Sequence, residues 1–197
     1  MSNKILTMNN LKTVTGFMRT HLNYNYKRYI KKANKLIDFN IKPTKYIVNS
    51  YNGDDWLEYK EIIDQNPEKY KAHRTLDYYK IKIPYTNEDD IFDIYLIKWD
   101  PKSTTHVHNH TEYGCIMKVL DGEIREEHFD IFFEKSVFHR NFGPFIYKKD
   151  SVGYIDNKIA RHRIWNPSHQ DDAYSLHVYG FPAILRNYSY YTPNNDN

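Results

Sequence analysis

Near the start of the chain apolar residues recur at Leu11, Val14, Phe17, Met18, Leu22 and Tyr26. That spacing is close to the period of an amphipathic helix and predicts one within "LKTVTGFMRTHLNYNYKRYIKKANKLIDF". A second helix is predicted in "DDWLEYKEIIDQNPEKYKAHR", where Asp54 or Asp55 can cap the start and Pro67 ends or restarts it. From about residue 78 the period changes to two, and β-branched and aromatic residues take over. The runs "YYKIKIPY", "IFDIYLIKW", "TTHVHNH", "GCIMKVLDGEIREEHFD", "VGYIDN", "HRIWN" and "AYSLHVYGF" read as short strands. Turn signals separate them: Thr86-Asn87-Glu88, Asp100-Pro101-Lys102, Asp121-Gly122 and Asn166-Pro167-Ser168. Many short strands with regular turns favour a sandwich or small barrel over a parallel sheet. The expected fold is mainly β, with residues 1–75 as a helical extension packed on a barrel of residues 76–197. The polar end, "YYTPNNDN", is expected to fray.

Charge changes this picture little. Lys and Arg number 28 against 25 Asp and Glu, a formal net charge of +3. So balanced a chain projects no strong field toward nucleic acid. The basic run at Lys27, Lys31, Lys32 and Lys35 reads as a solvated helix face. One cysteine, Cys115, excludes an internal disulfide framework. No apolar run is long enough to span a membrane, and "MSNKILTMNN" lacks the layout of a secretory signal. These features lead us to expect a cytoplasmic, reducing location and no membrane or nucleic-acid partner; a monomer is the expected state, though none of these features fixes it.

Candidate chemistry concentrates in "TTHVHNHTEYGC", residues 104–115. His106, His108 and His110 occupy alternate positions, so an extended stretch would point all three the same way. A row of buried, unpartnered imidazoles is costly. A metal ion satisfies several at once, because neutral imidazole is a common ligand. An H-x-H pair still needs a third ligand from elsewhere, and His162 in "ARHRIWN" and His177 in "SLHVYG" are candidates. His21, His73, His128, His139 and His169 belong to no such constellation.

Taking His108 and His110 as the pair, four residues lead to Cys115 and six more to Gly122. This resembles the first cupin motif, with a cysteine where that motif has an acidic ligand. Gly153 and His162-x-x-x-Asn166 resemble a degenerate second motif. A cysteine in the acid's place resembles cysteine dioxygenase, a mononuclear iron cupin. "SLHVYGFP" is similar to the last barrel strand of that family, with Ser175, His177 and Tyr179 at alternate positions, and "FDIYLIKW", ending in Trp99, is similar to the strand entering its site. The likeness covers residues 75–182. It implies a single cupin barrel, a small jelly roll, with Fe(II) held by His108, His110 and His162. It further implies a relay from Ser175 through His177 to Tyr179, and a thioether between Cys115 and Tyr179. The implied reaction adds both atoms of O2 to a small thiol, cysteine giving cysteine sulfinate.

One departure bears on the substrate. The family holds the substrate carboxylate with an arginine in a Y-x-R arrangement, and "DYYKIKIPY" offers only lysines. Tyr78-x-Lys80 keeps the tyrosine spacing, whereas counting back from Phe92 without gaps reaches Lys82. Either lysine can meet a carboxylate, but as a point charge and without the two parallel bonds of a guanidinium. Alternatively both are solvated lysines of an edge strand. Cys115 is either part of the site or a small buried hydrophobe, and His106 reads as pocket rim or solvent. Two other classes stay open: a cupin enzyme acting on a non-thiol, and a non-catalytic cupin that binds a small molecule.

Overall fold

The computed structural model describes residues 7–30, 41–86, 90, 92–110, 114–129 and 141–180. The polar end, Phe181-Pro182, Asn87-Glu88, His139, Lys31, Lys32 and Lys35 lie outside the described residues. Among the described residues, four helices come first and nine strands after them; the helices are α1 (Leu11–Ile30), α2 (Ile41–Asn49), α3 (Trp56–Gln65) and α4 (Pro67–Tyr70). The strands are β1 (Lys71–His73), β2 (Leu76–Lys82), β3 (Phe92–Trp99), β4 (Cys115–Asp121), β5 (Glu123–Phe129), β6 (Asn141–Lys148), β7 (Val152–Ile155), β8 (Arg161–Trp165) and β9 (Ala173–Gly180). They form a six-stranded sheet, β1-β2-β3-β9-β4-β7, and a three-stranded sheet, β6-β5-β8, and every strand pair is antiparallel. The protein is mainly β, with the two-sheet layering of a cupin jelly roll. No helix of the described residues is long and apolar enough to cross a membrane.

β9 explains why the large sheet is buried on both faces. Tyr174, Leu176 and Val178 point to one side and join Leu11, Val14, Met18, Ile47, Val48 and Ile63 of the helices in one core cluster. Ala173, Ser175, His177 and Tyr179 alternate to the other side, toward the barrel interior. There Ile97, Trp99, Met117, Val119, Ile124, Ile164 and Ala173 form a second cluster between the sheets. The helices therefore close the back of the sheet whose front carries the polar residues. Lys118, on β4, is 3% exposed and donates to the carbonyls of Asn49 and Tyr51, satisfying the C-terminal end of α2.

Several local readings change in the folded chain. Asp55 stands at the N-cap of α3 but makes no cap bond there. Its carboxylate accepts instead from the Leu11 N–H that opens α1, at 2.8 Å, and from the Tyr51 hydroxyl, at 2.6 Å. Pro67 restarts a helix, as the first residue of α4. β1 begins at Lys71, inside the segment read as helical, and α2 and β6 were not anticipated at all. β6 carries Gly143-Pro144, which reads as a turn in sequence. Asp121-Gly122 is a corner rather than a hairpin, because it passes the chain from one sheet to the other. Gly122 has φ 77°, and a Cβ there would stand 2.8 Å from that of Ala173.

The largest correction concerns "TTHVHNH", which is not a strand. Only isolated bridges join it to β8, Thr104 with Trp165 and His108 with His162. Side chains take over the ladder between them. The Ile164 N–H donates to Thr105 Oγ1 at 3.0 Å, and the His110 N–H donates to Asn157 Oδ1 at 2.7 Å. Such local side-chain acceptors interrupt regular pairing. The three histidines therefore do not share a face: His106 is exposed, its ring edge-on to His73 at 5.3 Å.

Candidate metal centre

His108 and His110 come from this irregular segment and His162 from β8, where His162 and Ile164 point inward. The backbone holds the segments together, with His108 N–H to His162 O at 2.9 Å and His162 N–H to His108 O at 3.0 Å. The three rings converge. Nε2 of His162 lies 2.6 Å from Nε2 of His110 and 3.1 Å from Nε2 of His108. These are the residues among those described whose ligand atoms cluster closely enough to hold an ion. Cys115 and His177 stand outside that cluster.

The far sides of His108 and His162 test whether a metal fits. His108 Nδ1 lies 2.9 Å from the His106 carbonyl oxygen, which can only accept, so Nδ1 carries the proton. His162 Nδ1 lies 2.6 Å from Glu126 Oε1, again an acceptor. Neutral rings with Nδ1–H present bare Nε2 lone pairs to one another. Burial, followed by the neighbouring His162, pushes the pKa of His108 down to about 4 and that of His110 down to about 3. A proton is therefore a poor occupant for the centre near neutral pH, and a cation that accepts three imidazole lone pairs fits it. Neutral nitrogen donors suit iron, zinc, copper or nickel.

Glu126 is the residue that sequence reading missed. It is 3% exposed on β5, facing inward in alternation with Ile124. Burial works to raise its pKa, and His128 and His162 outweigh that and hold it below the usual carboxylate range. His128 Nε2 approaches the same oxygen at 3.1 Å, without hydrogen-bond alignment. Tyr147 lies near Glu126 as well, and burial and the carboxylate push its pKa up. Tyr147 has room because Gly153 lies against it: a Cβ there would meet the ring at 2.9 Å. An acid at an inward β5 position was the available signal.

The remaining predicted residues line the same cavity, except Ser175, which lies behind His177, and Lys82. Tyr78, Lys80, Trp99, Cys115, Glu126, His177 and Tyr179 surround it together with the three histidines. Tyr78 stacks on Trp99 at 5.2 Å, the Trp99 indole N–H donates to Ser175 Oγ at 2.8 Å, and Ser175 Oγ meets His177 Nε2 at 2.9 Å. The other nitrogen of His177 faces Cys115 Sγ at 3.5 Å. The relay from Ser175 thus forms, but its next hydrogen-bonding neighbour is the thiol, while the Tyr179 ring stacks on His177 at 5.9 Å. Cys115 and Tyr179 are opposed across β4 and β9. Lys82 is exposed and pairs with Asp93 at 2.7 Å, outside the cavity. Asn166, of the degenerate second motif, ties the β8–β9 loop to β3 through the Trp99 carbonyl and is not at the site.

The sequence matches the family model described as "Cysteine dioxygenase type I" over residues 44–190. It is 27% identical to cysteine dioxygenase type 1 of Rattus norvegicus over 123 residues, which is 62% of each chain. It is 26% identical to the protein of that name from Danio rerio over 136 residues, 68% of each chain. The match thus spans about three-fifths of the length of the rat relative. Among solved structures, a cupin 2 conserved barrel domain protein from Salinispora arenicola aligns with a TM-score of 0.40 at 16% identity, over 62% of this chain and 91% of that one. A Cupin_2 domain of an XRE family transcriptional regulator from Enterobacter cloacae aligns with a TM-score of 0.38 at 14% identity, over 53% of this chain and 97% of that one.

Proposed function

The chain belongs to the cysteine dioxygenase type I family, and from that premise we propose that it is an iron-dependent thiol dioxygenase acting on a small thiol, cysteine first among them. One observation carries the proposal: three imidazoles converge in a cavity that also receives the ammonium of Lys80. His108, His110 and His162 would hold Fe(II), whose chemistry there is to activate O2 and to acidify the thiol.

The protein's own groups supply the rest. Lys80 meets the substrate carboxylate, whereas Lys82, paired with Asp93, takes no part. Tyr179 donates a hydrogen bond to the substrate. Ser175 and His177 fix the position of the Cys115–Tyr179 pair from behind. Glu126 keeps the His162 proton on Nδ1 and so keeps Nε2 free to ligate. Trp99 and Tyr78 wall the cavity and exclude water from it. The helices of residues 1–75 belong to the barrel unit as an extension, a reading supported by the core they share with β9. A reducing, cytoplasmic setting and a monomeric state complete the proposal.

The test is anaerobic loading with ferrous iron, followed by oxygen-uptake measurements with cysteine, cysteamine and 3-mercaptopropionate. Uptake that depends on one of these thiols is expected. Metal binding without thiol-dependent uptake would favour a cupin enzyme of another class or a non-catalytic binder.

A further inference from the structure

Lys80 brings a positive charge to the cavity with no carboxylate in salt-bridge contact among the described residues: Asp93 attracts it through space, and two aromatic rings lie against it. Its Nζ lies 3.9 Å from the centroid of Tyr95 and 4.3 Å from that of Tyr179. The two rings meet edge to face, with centroids 5.8 Å apart and planes at 80°. Lys82, on the same strand, shows the contrasting solution, an exposed ammonium on a carboxylate. Lys80 has given up much of its water, and burial pushes its pKa down. Ring faces partly replace that water, because the quadrupole of a phenol ring attracts a cation.

The strand register explains how this is built. Lys80 stands opposite Ile97 on β3, and Tyr95 lies two residues back along β3 on the same face. Tyr179, on β9, stands opposite Asp93. The two phenols therefore reach the ammonium from neighbouring strands, leaving its remaining side toward the cavity. Tyr95 itself does not line the cavity. A flexible lysine stem has many rotamers, and a carboxylate that must order it first binds less well.

We infer that Tyr95 is a positioning residue for the anion site of this cavity: with Tyr179 it holds the Lys80 ammonium in place to meet the carboxylate of a bound thiol. This rests on the thiol-dioxygenase reading for the identity of the anion, but the clamp itself does not. The clamp depends on a ring face and not on a hydroxyl, so Tyr95→Phe and Tyr95→Leu must separate.

The experiment compares KM and kcat of the iron-loaded full chain for cysteine and for cysteamine, which lacks a carboxylate. Tyr95→Leu is expected to raise the KM for cysteine by roughly threefold to thirtyfold, the range of a desolvated cation–π contact, with kcat and the cysteamine KM little changed. Tyr95→Phe should match wild type, and Tyr95→Met, bulky but ringless, should match Tyr95→Leu. A second measurement reads the clamp without turnover: carbamylation of the Lys80 amine by cyanate, followed by peptide mass spectrometry, should be faster in Tyr95→Leu than in Tyr95→Phe or wild type. Equal effects of the Phe and Leu variants, or equal losses on both thiols, would overturn the inference. If wild type oxidises no thiol, the functional reading fails separately, and the carbamylation rates alone uphold or overturn the clamp.

Discussion

Cys115 and Tyr179 stand directly opposite one another in the β4–β9 ladder, and both side chains line the cavity. Opposed residues in an antiparallel pair have Cβ atoms about 5 Å apart, so backbone geometry alone keeps sulfur beside ring. Burial pushes the Cys115 pKa up to about 12, which makes it a neutral thiol near neutral pH. Ordinary thiolate reactivity is therefore suppressed, and bond formation between these two residues requires an oxidant.

The first prediction is that turnover with ferrous iron, O2 and thiol joins them. The sulfur bonds to a ring carbon of Tyr179, the S–H and that C–H are lost, and O2 is the oxidant that is reduced. Intact-mass spectra should show the loss of those two hydrogens, and a denaturing gel should show a faster band. Cys115→Ser should show neither and keep substantial activity, because the imidazole cluster is untouched. Wild type that keeps its full mass after many turnovers would exclude the bond.

Glu126→Gln should weaken metal binding about tenfold to a hundredfold, the usual consequence of losing a carboxylate behind a ligating histidine. Competition with a chelator measures this without reference to activity, and circular dichroism checks the fold. Gly153→Ala should act in the same direction, since its methyl would displace the Tyr147 ring that lies near Glu126. Unchanged affinity in Glu126→Gln would mean that His162 needs no carboxylate behind it.

Lys80→Met should raise the KM for cysteine by roughly tenfold or more, as for loss of a charge-assisted bond. The effect on cysteamine should be small. Lys82→Met should change neither, because Lys82 is engaged with Asp93. A Lys82 effect as large as that of Lys80 would reverse the assignment.

Lys118→Met should destabilise the fold by about 1–3 kcal/mol, because it leaves the buried Tyr51 carbonyl and the half-buried Asn49 carbonyl without this donor. The pH dependence has a definite sign. Burial lowers the Lys118 pKa from 10.5, so the unfolded chain holds its proton more tightly. Wild type should therefore gain stability relative to Lys118→Met as pH rises through the lowered folded value toward 10.5. Urea denaturation of both proteins across that range measures it, and a gap that narrows as pH rises would contradict the account.

What was legible in the sequence was what periodicity and spacing encode. The alternation in "AYSLHVYG" places Ser175, His177 and Tyr179 on the inward face and Leu176 and Val178 under the helices. Spacing marked His108 and His110 and left His162 or His177 as the third ligand; the resemblance to cysteine dioxygenase implied His162, and those three rings converge. What was not legible depended on groups that meet only in the fold. Thr105 and Asn157 replace ladder partners and turn an apparent strand into a loop, so His106 leaves the face it appeared to share. Lys80 and Lys82 sit at equivalent alternate positions, and only the nearby Asp93 separates their roles. Glu126 looked like one more charge in "EIREEHF" until β8 was set beside it.

The account's central claim is that this cavity places both atoms of O2 on the sulfur of a small thiol. The most direct measurement is single-pot turnover of cysteine by the iron-loaded protein under isotopically labelled O2, with mass analysis of the product. The account predicts cysteine sulfinate carrying two labelled oxygens, formed by wild type and not by His162→Ala. Cystine as the sole product, or sulfinate with label equally abundant in His162→Ala, would contradict it.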